Sequence, residues 1–315
     1  MVKPSMNATA SGSRYRRALM EWRKNKYLYI LALPGLLYFF VFKYIPMAYL
    51  GVAFQDYSPY KGILGSSWVG FEHFTRLFAS PDFMMILRNT LCINMLSLFL
   101  FFPFPIVVSL LLNEIAGERF KKIIQTIIYM PHFLAWSIIA GITMLMFSQT
   151  TGFVNHMLSD LGFEKIDLLT NPSTFWLLLV GQMLWKEAGW GTVLILAAMS
   201  SIDTQLYEAA KIDGAGRLRQ IWNVTLPGIS NVIVILLVLR LGNMMDVGFE
   251  QIFLMQNAAV SSVSEVFDTY VYRVGVVNAQ FSFTTAVGLF KSVVAVILVT
   301  LSNRLAKQFG EEGAF

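Results

Sequence analysis

The chain has 315 residues, of which 56% are hydrophobic and only 14% charged, against roughly 25% charged in soluble domains; this excludes a soluble globular protein and marks an integral membrane protein. A single cysteine, Cys92, lies inside an apolar run and excludes an internal disulfide framework. The net charge of +5 is not a nucleic-acid footprint, because Arg14, Arg16, Arg17, Arg23, Lys24 and Lys26 gather immediately before the first apolar run, where basic residues set membrane orientation.

In chain order, residues 1–26 read as a basic cytoplasmic tail. The apolar run then continues from Leu28 to about Leu50 with no small-residue cleavage site, so it is a first span rather than a signal peptide. Residues 27–85 thus hold the first span and an ordered extracytoplasmic loop, whose Trp68, Phe71 and Phe74 suit a membrane interface. Span two is expected from Leu91 to Leu112, kinked at Pro103 and Pro105. Arg119, Lys121 and Lys122 place the next loop in the cytoplasm. Span three is expected from Ile123 to Phe147, with Pro131 and His132 near its start, the histidine as a packing or backbone-bonding residue rather than a ligand. The acidic stretch from Ser148 to Ser173 faces outside, and span four runs from Phe175 to Met199.

A polar connection follows. Ser200 to Asp213 reads as a short helix closed by Gly214, and a second short helix runs from Gly216 to Val224, with Pro227 marking its end. Span five is expected from Ile229 to about Met255 and span six from Phe281 to Leu301, before a cytoplasmic tail, 304–315, with Arg304 and Lys307. The expected fold is all-α and integral to the membrane, with about six spans of the ~20 residues a bilayer needs and both termini cytoplasmic.

Catalytic signatures are missing. No GxxxxGK[ST] phosphate loop, HExxH or GxSxG occurs, and His73, His132 and His156 are scattered, so neither catalytic nor metal-ligating residues are assigned. The informative residues are charges within spans, each costing ~2.5–3.5 kcal/mol at the membrane centre unless it faces protein or water. Arg240, Lys186 and Lys291 fall roughly halfway along their spans, a depth that suits an anionic or heavily hydroxylated ligand. At 100° per residue, Arg240, Asn243, Asp246, Glu250 and Gln251 share one face of span five, and Gln182, Trp185, Lys186 and Gly189 share a stripe of span four. Gln182, Trp185, Lys186, Arg240, Asn243, Asp246, Glu250 and Lys291 are the expected substrate path. The alternatives are ion pairs, Arg240 with Asp246 or Glu250 and Lys186 with a carboxylate on a neighbouring helix, and core packing for Trp185.

Glu208, Ala209, Ala210, Asp213, Gly214, Ala215, Leu226 and Pro227, with Val224 where isoleucine is usual, resemble the cytoplasmic EAA loop of permease subunits in ATP-binding-cassette importers. The likeness extends to Leu33-Pro34-Gly35, Tyr129-Met130-Pro131-His132-Phe133, Gly248-Phe249-Glu250-Gln251-Ile252 and Asp268-Thr269-Tyr270-Val271-Tyr272-Arg273, which look like the polysaccharide or oligosaccharide branch. That resemblance implies a type I importer permease fold with its core at 86–303 and the EAA loop at 200–228. It also implies a loop that docks on a separate ATPase, with Glu208 offering a carboxylate to a basic partner residue. The implied partners are a second, different permease subunit, two ATPase subunits carrying ATP and Mg, an extracytoplasmic solute-binding protein and membrane lipid, with no nucleic acid. The implied function is ATP-driven import of a sugar or oligosaccharide, anionic or not, across a bacterial plasma membrane by a multi-pass subunit that is not itself an enzyme. An ion-coupled secondary transporter or a channel is the competing reading, since buried charges serve ion coupling too.

Overall fold

The computed structural model describes residues 24–308; the arginines of the basic tail and most of the C-terminal tail lie outside them. Helix α1 (Lys26–Phe54) is 29 residues long, about 43 Å at 1.5 Å per residue. None of its most apolar window is buried within the chain, and only Val52 and Ala53 at its end are enclosed. A two-stranded antiparallel pair, β1 (Gln55–Asp56) and β2 (Ser67–Trp68), follows, with Gln55 opposite Trp68. The short α2 (Glu72–Ala79) buries Leu77 in a core shared with Phe83, Phe267, Phe283 and Val287.

Helix α3 (Pro81–Asn113) begins ten residues before the expected Leu91. Its first turns carry Asn89 and Asn94, which lower hydropathy but are buried with partners: Asn89 Nδ2 donates to Glu265 O at 2.9 Å and Asn94 Nδ2 to Met244 O at 2.8 Å. The expected proline kink takes the form of a π-turn at Ser97–Phe101, where Phe102 N–H reaches back five residues to Ser97 O at 3.1 Å. The surplus residue lies just before Pro103, whose ring cannot donate to the ladder.

Span three is not one rod. Helix α4 (Glu118–Phe133) and helix α5 (Trp136–Phe147) are bent by 101°, because Pro131 closes a 3₁₀ turn and Leu134 and Ala135 are extended. Helix α6 (Phe153–Asp160) is an excursion tied down by the buried Asn155, whose Nδ2 donates to Phe147 O and Ile166 O, each at 3.0 Å. Helix α7 (Pro172–Ser200) opens on Asn171, whose side chain accepts from Ser173 N–H. Helix α8 (Thr204–Ile212) is capped by Asp203 in the same way.

Pro227 does not end a helix. Helix α9 (Arg217–Gly242) runs through it, because a second π-turn at Ile221–Thr225 again places the surplus residue just ahead of the proline. Nor does span five reach Met255. The chain leaves α9 at Gly242, where a Cβ would lie 2.3 Å from Val299 Cγ2, and turns at Gly248 with φ +92°. It resumes as α10 (Phe249–Met255). The short α11 (Phe267–Val271) and the long α12 (Phe281–Gln308) complete the order.

The chain is all-α as expected. Among the described residues α1, α3, α9 and α12 are long and apolar enough to cross a membrane, and the bent α4–α5 pair makes up to five. Helix α7 has the length for a further crossing but carries Gln182, Lys186 and Glu187 in its middle.

Candidate functional site

Three irregularities converge on one place. The π-turn of α3 supplies Phe101, the start of α5 after its bend supplies Trp136, and the break after α9 supplies Asn243, Asp246 and Gly248. Helix α7 closes the space with Met183, Glu187, Trp190 and Gly191, and Arg240 reaches in from the last turn of α9. The cavity measures about 450 Å³, within the ~300–1,000 Å³ usual for small-molecule sites. Interrupted helices are what a membrane protein needs here, since irregular backbone is tolerated at depth only against protein or a wet cavity.

Of the residues expected to line the path, Arg240, Asn243 and Asp246 do so. Arg240 forms no ion pair among the described residues. Its Nη2 donates to Ser97 Oγ and lies 3.6 Å from Met183 Sδ, and its guanidinium sits 5.6 Å from the centre of the Phe101 ring. The expected carboxylate partners are elsewhere: Asp246 bonds Lys291 Nζ at 2.7 Å, and Glu250 is exposed on α10 outside the lining. Lys291 lies behind the wall rather than in it, held also by Asp268, whose other oxygen accepts from Val247 N–H at 3.5 Å. The shared helical face of span five is thus corrected: its members straddle the break after Gly242.

The α7 stripe is rotated from the expected one. Gln182 is buried, donating to Thr143 Oγ1 at 2.7 Å and accepting from Gln251 Nε2 at 3.0 Å. Together with Trp185 it borders a different, apolar hollow with Ile142, Met146 and Leu177. Gly189 is a close approach between helices, since a Cβ there would lie 2.2 Å from Ile128 O. Lys186 is buried beside the cavity, donating to His132 O at 2.7 Å, 3.3 Å from Glu187 Oε1 and 5.5 Å from the Trp136 ring centre. Its carboxylate partner is thus the adjacent residue, not one on another helix. The face that does line the cavity, Met183, Glu187 and Trp190, escaped attention although its i, i+4, i+7 spacing is equally helical. Trp190 stacks on His132 at 4.9 Å with 7° between the planes, and His132 Nδ1 donates to Glu187 Oε2 at 2.7 Å. His132 therefore packs as expected, but its ring bonds a carboxylate rather than backbone; no metal-type cluster occurs among the described residues.

The second candidate region is the loop joining α7 to α9. Gly214, at φ +75°, lets Ala215 N–H return to Ala210 O at 2.9 Å and Gly214 N–H to Lys211 O at 3.0 Å, a glycine-closed helix end. Glu208, Ala209 and Asp213 are exposed, and Ala210 and Ala215 partly covered. Ile212, Leu218 and Trp222 are 87, 75 and 69% exposed, large apolar groups left uncovered among the described residues. Tyr207 Oη, 3.0 Å from Thr225 Oγ1, fastens α8 to the π-turn of α9. Leu226 belongs to that long helix, packed with Ile195, Met199 and Ile229, and Pro227 follows it there.

The binding-protein-dependent transport system inner membrane component family matches residues 102–310, from just after the π-turn of α3 to the last helix. The chain belongs to this family. As an inner membrane component it is a multi-pass permease subunit working with a solute-binding protein, and the ion-coupled alternative finds no support among its relatives. It is 51% identical over 300 residues to the polygalacturonan/rhamnogalacturonan transport system permease protein YteP of Bacillus subtilis (strain 168), covering 95% of this chain and 94% of the relative. It is 48% identical over 293 residues to Protein LplB of the same organism, covering 93% and 92%. The crystal structure of a bacterial alginate ABC transporter, in complex with an alginate pentasaccharide-bound periplasmic protein, contains a chain that superposes with a TM-score of 0.86 at 38% identity. The match covers 94% of this inner membrane component and 99% of that chain.

Proposed function

We propose that this inner membrane component forms half of the translocation path for a sugar oligomer released from a polysaccharide and handed over by the solute-binding protein. The observation that carries the reading is the cavity: Trp136, Trp190 and Phe101 offer ring faces beside Asn243, Gln251 and the charged groups, the pairing of flat apolar surface with polar edges that a pyranose presents. Similarity to permeases named for polygalacturonan, rhamnogalacturonan and alginate supports the same class.

A second permease subunit completes the chamber, and two ATPase subunits hold ATP and Mg, one of them against the loop built by α8 and Gly214. Glu208, Ala209 and the uncovered Ile212, Leu218 and Trp222 form the docking face. Closure of the ATPase pair shifts α8, Tyr207 carries the shift to Thr225, and α9 carries it to Arg240, so that the cavity opens to alternate sides.

The test is reconstitution of the complete complex in liposomes. Uptake of a labelled galacturonan trimer is expected to require ATP and the loaded binding protein and to be indifferent to ionophores. Uptake that collapses with the ion gradient while ATP remains, or a binding protein that stimulates hydrolysis with no sugar oligomer, overturns the proposal.

A further inference from the structure

We propose that Arg240 is a carboxylate-recognising site within the cavity, selecting uronate residues of the sugar oligomer, with Ser97 as the residue that positions it; this rests on the oligosaccharide reading above.

The charges around the cavity are unequal in one respect. Each lining carboxylate is already matched, Glu187 by His132 and Lys186, and Asp246 by Lys291. Of the charges around the cavity, Arg240 alone has no acidic partner among the described residues. Its guanidinium spends one nitrogen, Nη2, on a hydroxyl and a thioether, neither of which offsets a charge. No acceptor among the described residues meets Nε or Nη1. A guanidinium carries five donors in a planar fork that fits a carboxylate with two parallel bonds, and an ion withdrawn from bulk water is costly until it is matched. The fork is therefore the position in the wall where an incoming anion gains most.

The surroundings fix its direction. Ser97 is fully buried and sits at the first residue of the π-turn, its hydroxyl donating onward to Met183 Sδ at 3.1 Å. The turn presents Phe101 to the same guanidinium, so one local distortion of α3 supplies both the anchor and the ring beside it. Arg240 and Asn243, with Phe101 and Gly191, also border a second hollow of about 210 Å³, otherwise lined by apolar groups such as Ile106, Leu194 and Leu236. Arg240 thus stands where a polar chamber gives way to an apolar one. A carboxylated ring held there is at the last polar station before that hollow, whereas a neutral ring has the aromatic faces and the amides of Asn243 and Gln251 but no use for the fork.

The experiment uses the complete complex in liposomes with the galacturonate trimer and the same trimer reduced at its carboxyls. Hydrogen bonds to charged groups are worth ~1.5–3 kcal/mol, about ten- to a hundredfold. Arg240→Gln is expected to lower the ratio of charged- to neutral-trimer uptake by about that factor. Ser97→Ala, which leaves the charge but frees the fork, is expected to lower the charged-to-neutral ratio by a smaller factor. Equal loss for both trimers, or an unchanged charged-to-neutral ratio in Arg240→Gln, overturns the site. Should Arg240→Gln fail to assemble, the ratio is read on Arg240→Lys, which keeps the charge without the fork, and an unchanged ratio in both Arg240→Lys and Ser97→Ala overturns the site. An unmodified complex that imports neither trimer refutes the oligosaccharide reading instead, a result distinct from all of these.

Discussion

Lys291→Met tests the clasp behind the cavity wall. Lys291 Nζ holds two carboxylates, Asp246 at 2.7 Å and Asp268, but their surroundings differ. The Asp246 side chain is 65% exposed and that of Asp268 only 20%. Removing a partner from a buried pair costs ~3–5 kcal/mol because a charge is stranded, whereas an exposed pair is worth ~0–1 kcal/mol. Nearly all of the effect should therefore pass through Asp268, giving a loss of about 3 kcal/mol in Lys291→Met, and Asp246→Asn alone should cost about 1 kcal/mol or less. Asp268→Asn added to Lys291→Met should recover most of the loss, since the stranded charge goes with it. Asp246→Asn added to Lys291→Met should recover little. The assay is the fraction of purified complex that survives a graded heat step, read by retained binding-protein-stimulated ATPase. Equal rescue by the two asparagine changes, or a Lys291→Met complex as heat-stable as the parent, refutes the assignment.

Gly189→Ala places a Cβ against the backbone of Ile128 and Tyr129, at 2.2 and 2.9 Å; it should cost at least the ~1–3 kcal/mol of an overpacked core, seen as reduced yield of assembled complex. Gly214→Leu forces a side chain into φ +75° at the loop, a strain of ~1–2 kcal/mol, and should lower stimulated ATPase while leaving membrane insertion intact. Glu208→Lys should lower ATPase association more than Glu208→Ala, as expected when a like charge meets a basic docking residue, and the reverse order in a pull-down counts against the docking face. In a Cys92→Ser background, cysteines at Gly65 and Asp160 should react with an impermeant thiol reagent added outside, and one at Lys211 should not; labelling at Lys211 inverts the topology.

Much of this was legible in the chain because it rests on local rules. A glycine after Lys211-Ile212-Asp213 closes a helix whatever surrounds it, and the 29 residues of α7 needed only their caps and length. The interruptions of span three and span five were not legible, since Leu134, Ala135, Met244, Met245 and Val247 continue an apolar run that hydropathy reads as uninterrupted. At Gly242, where α9 ends, the backbone lies so close to Val299 on α12 that a Cβ would meet its Cγ2 at 2.3 Å, a tertiary fact. The face of α7 failed for another reason: Gln182/Trp185/Lys186/Gly189 and Met183/Glu187/Trp190 are both regular stripes, and periodicity ranks neither. The alternative reading of Arg240 pairs it with a carboxylate within ten residues of it, Asp246 or Glu250. Its nearest companion is instead Ser97, from another helix, while Asp246 answers to Lys291, 45 positions on.

Two of the π-turns, those of α3 and α9, have a mechanical consequence. An α-helix advances 100° per residue, so a turn holding one surplus residue is a store of rotation; passing the surplus one turn along the rod swings the intervening side chains by about that angle without lengthening the chain. Such a store lies near the loop end of α9, at Ile221–Thr225, and another lies beside Arg240, at Ser97–Phe101. On the coupling proposed above, a push at the loop would be answered by a twist at the cavity, the gearing of a screw rather than the sliding of a piston.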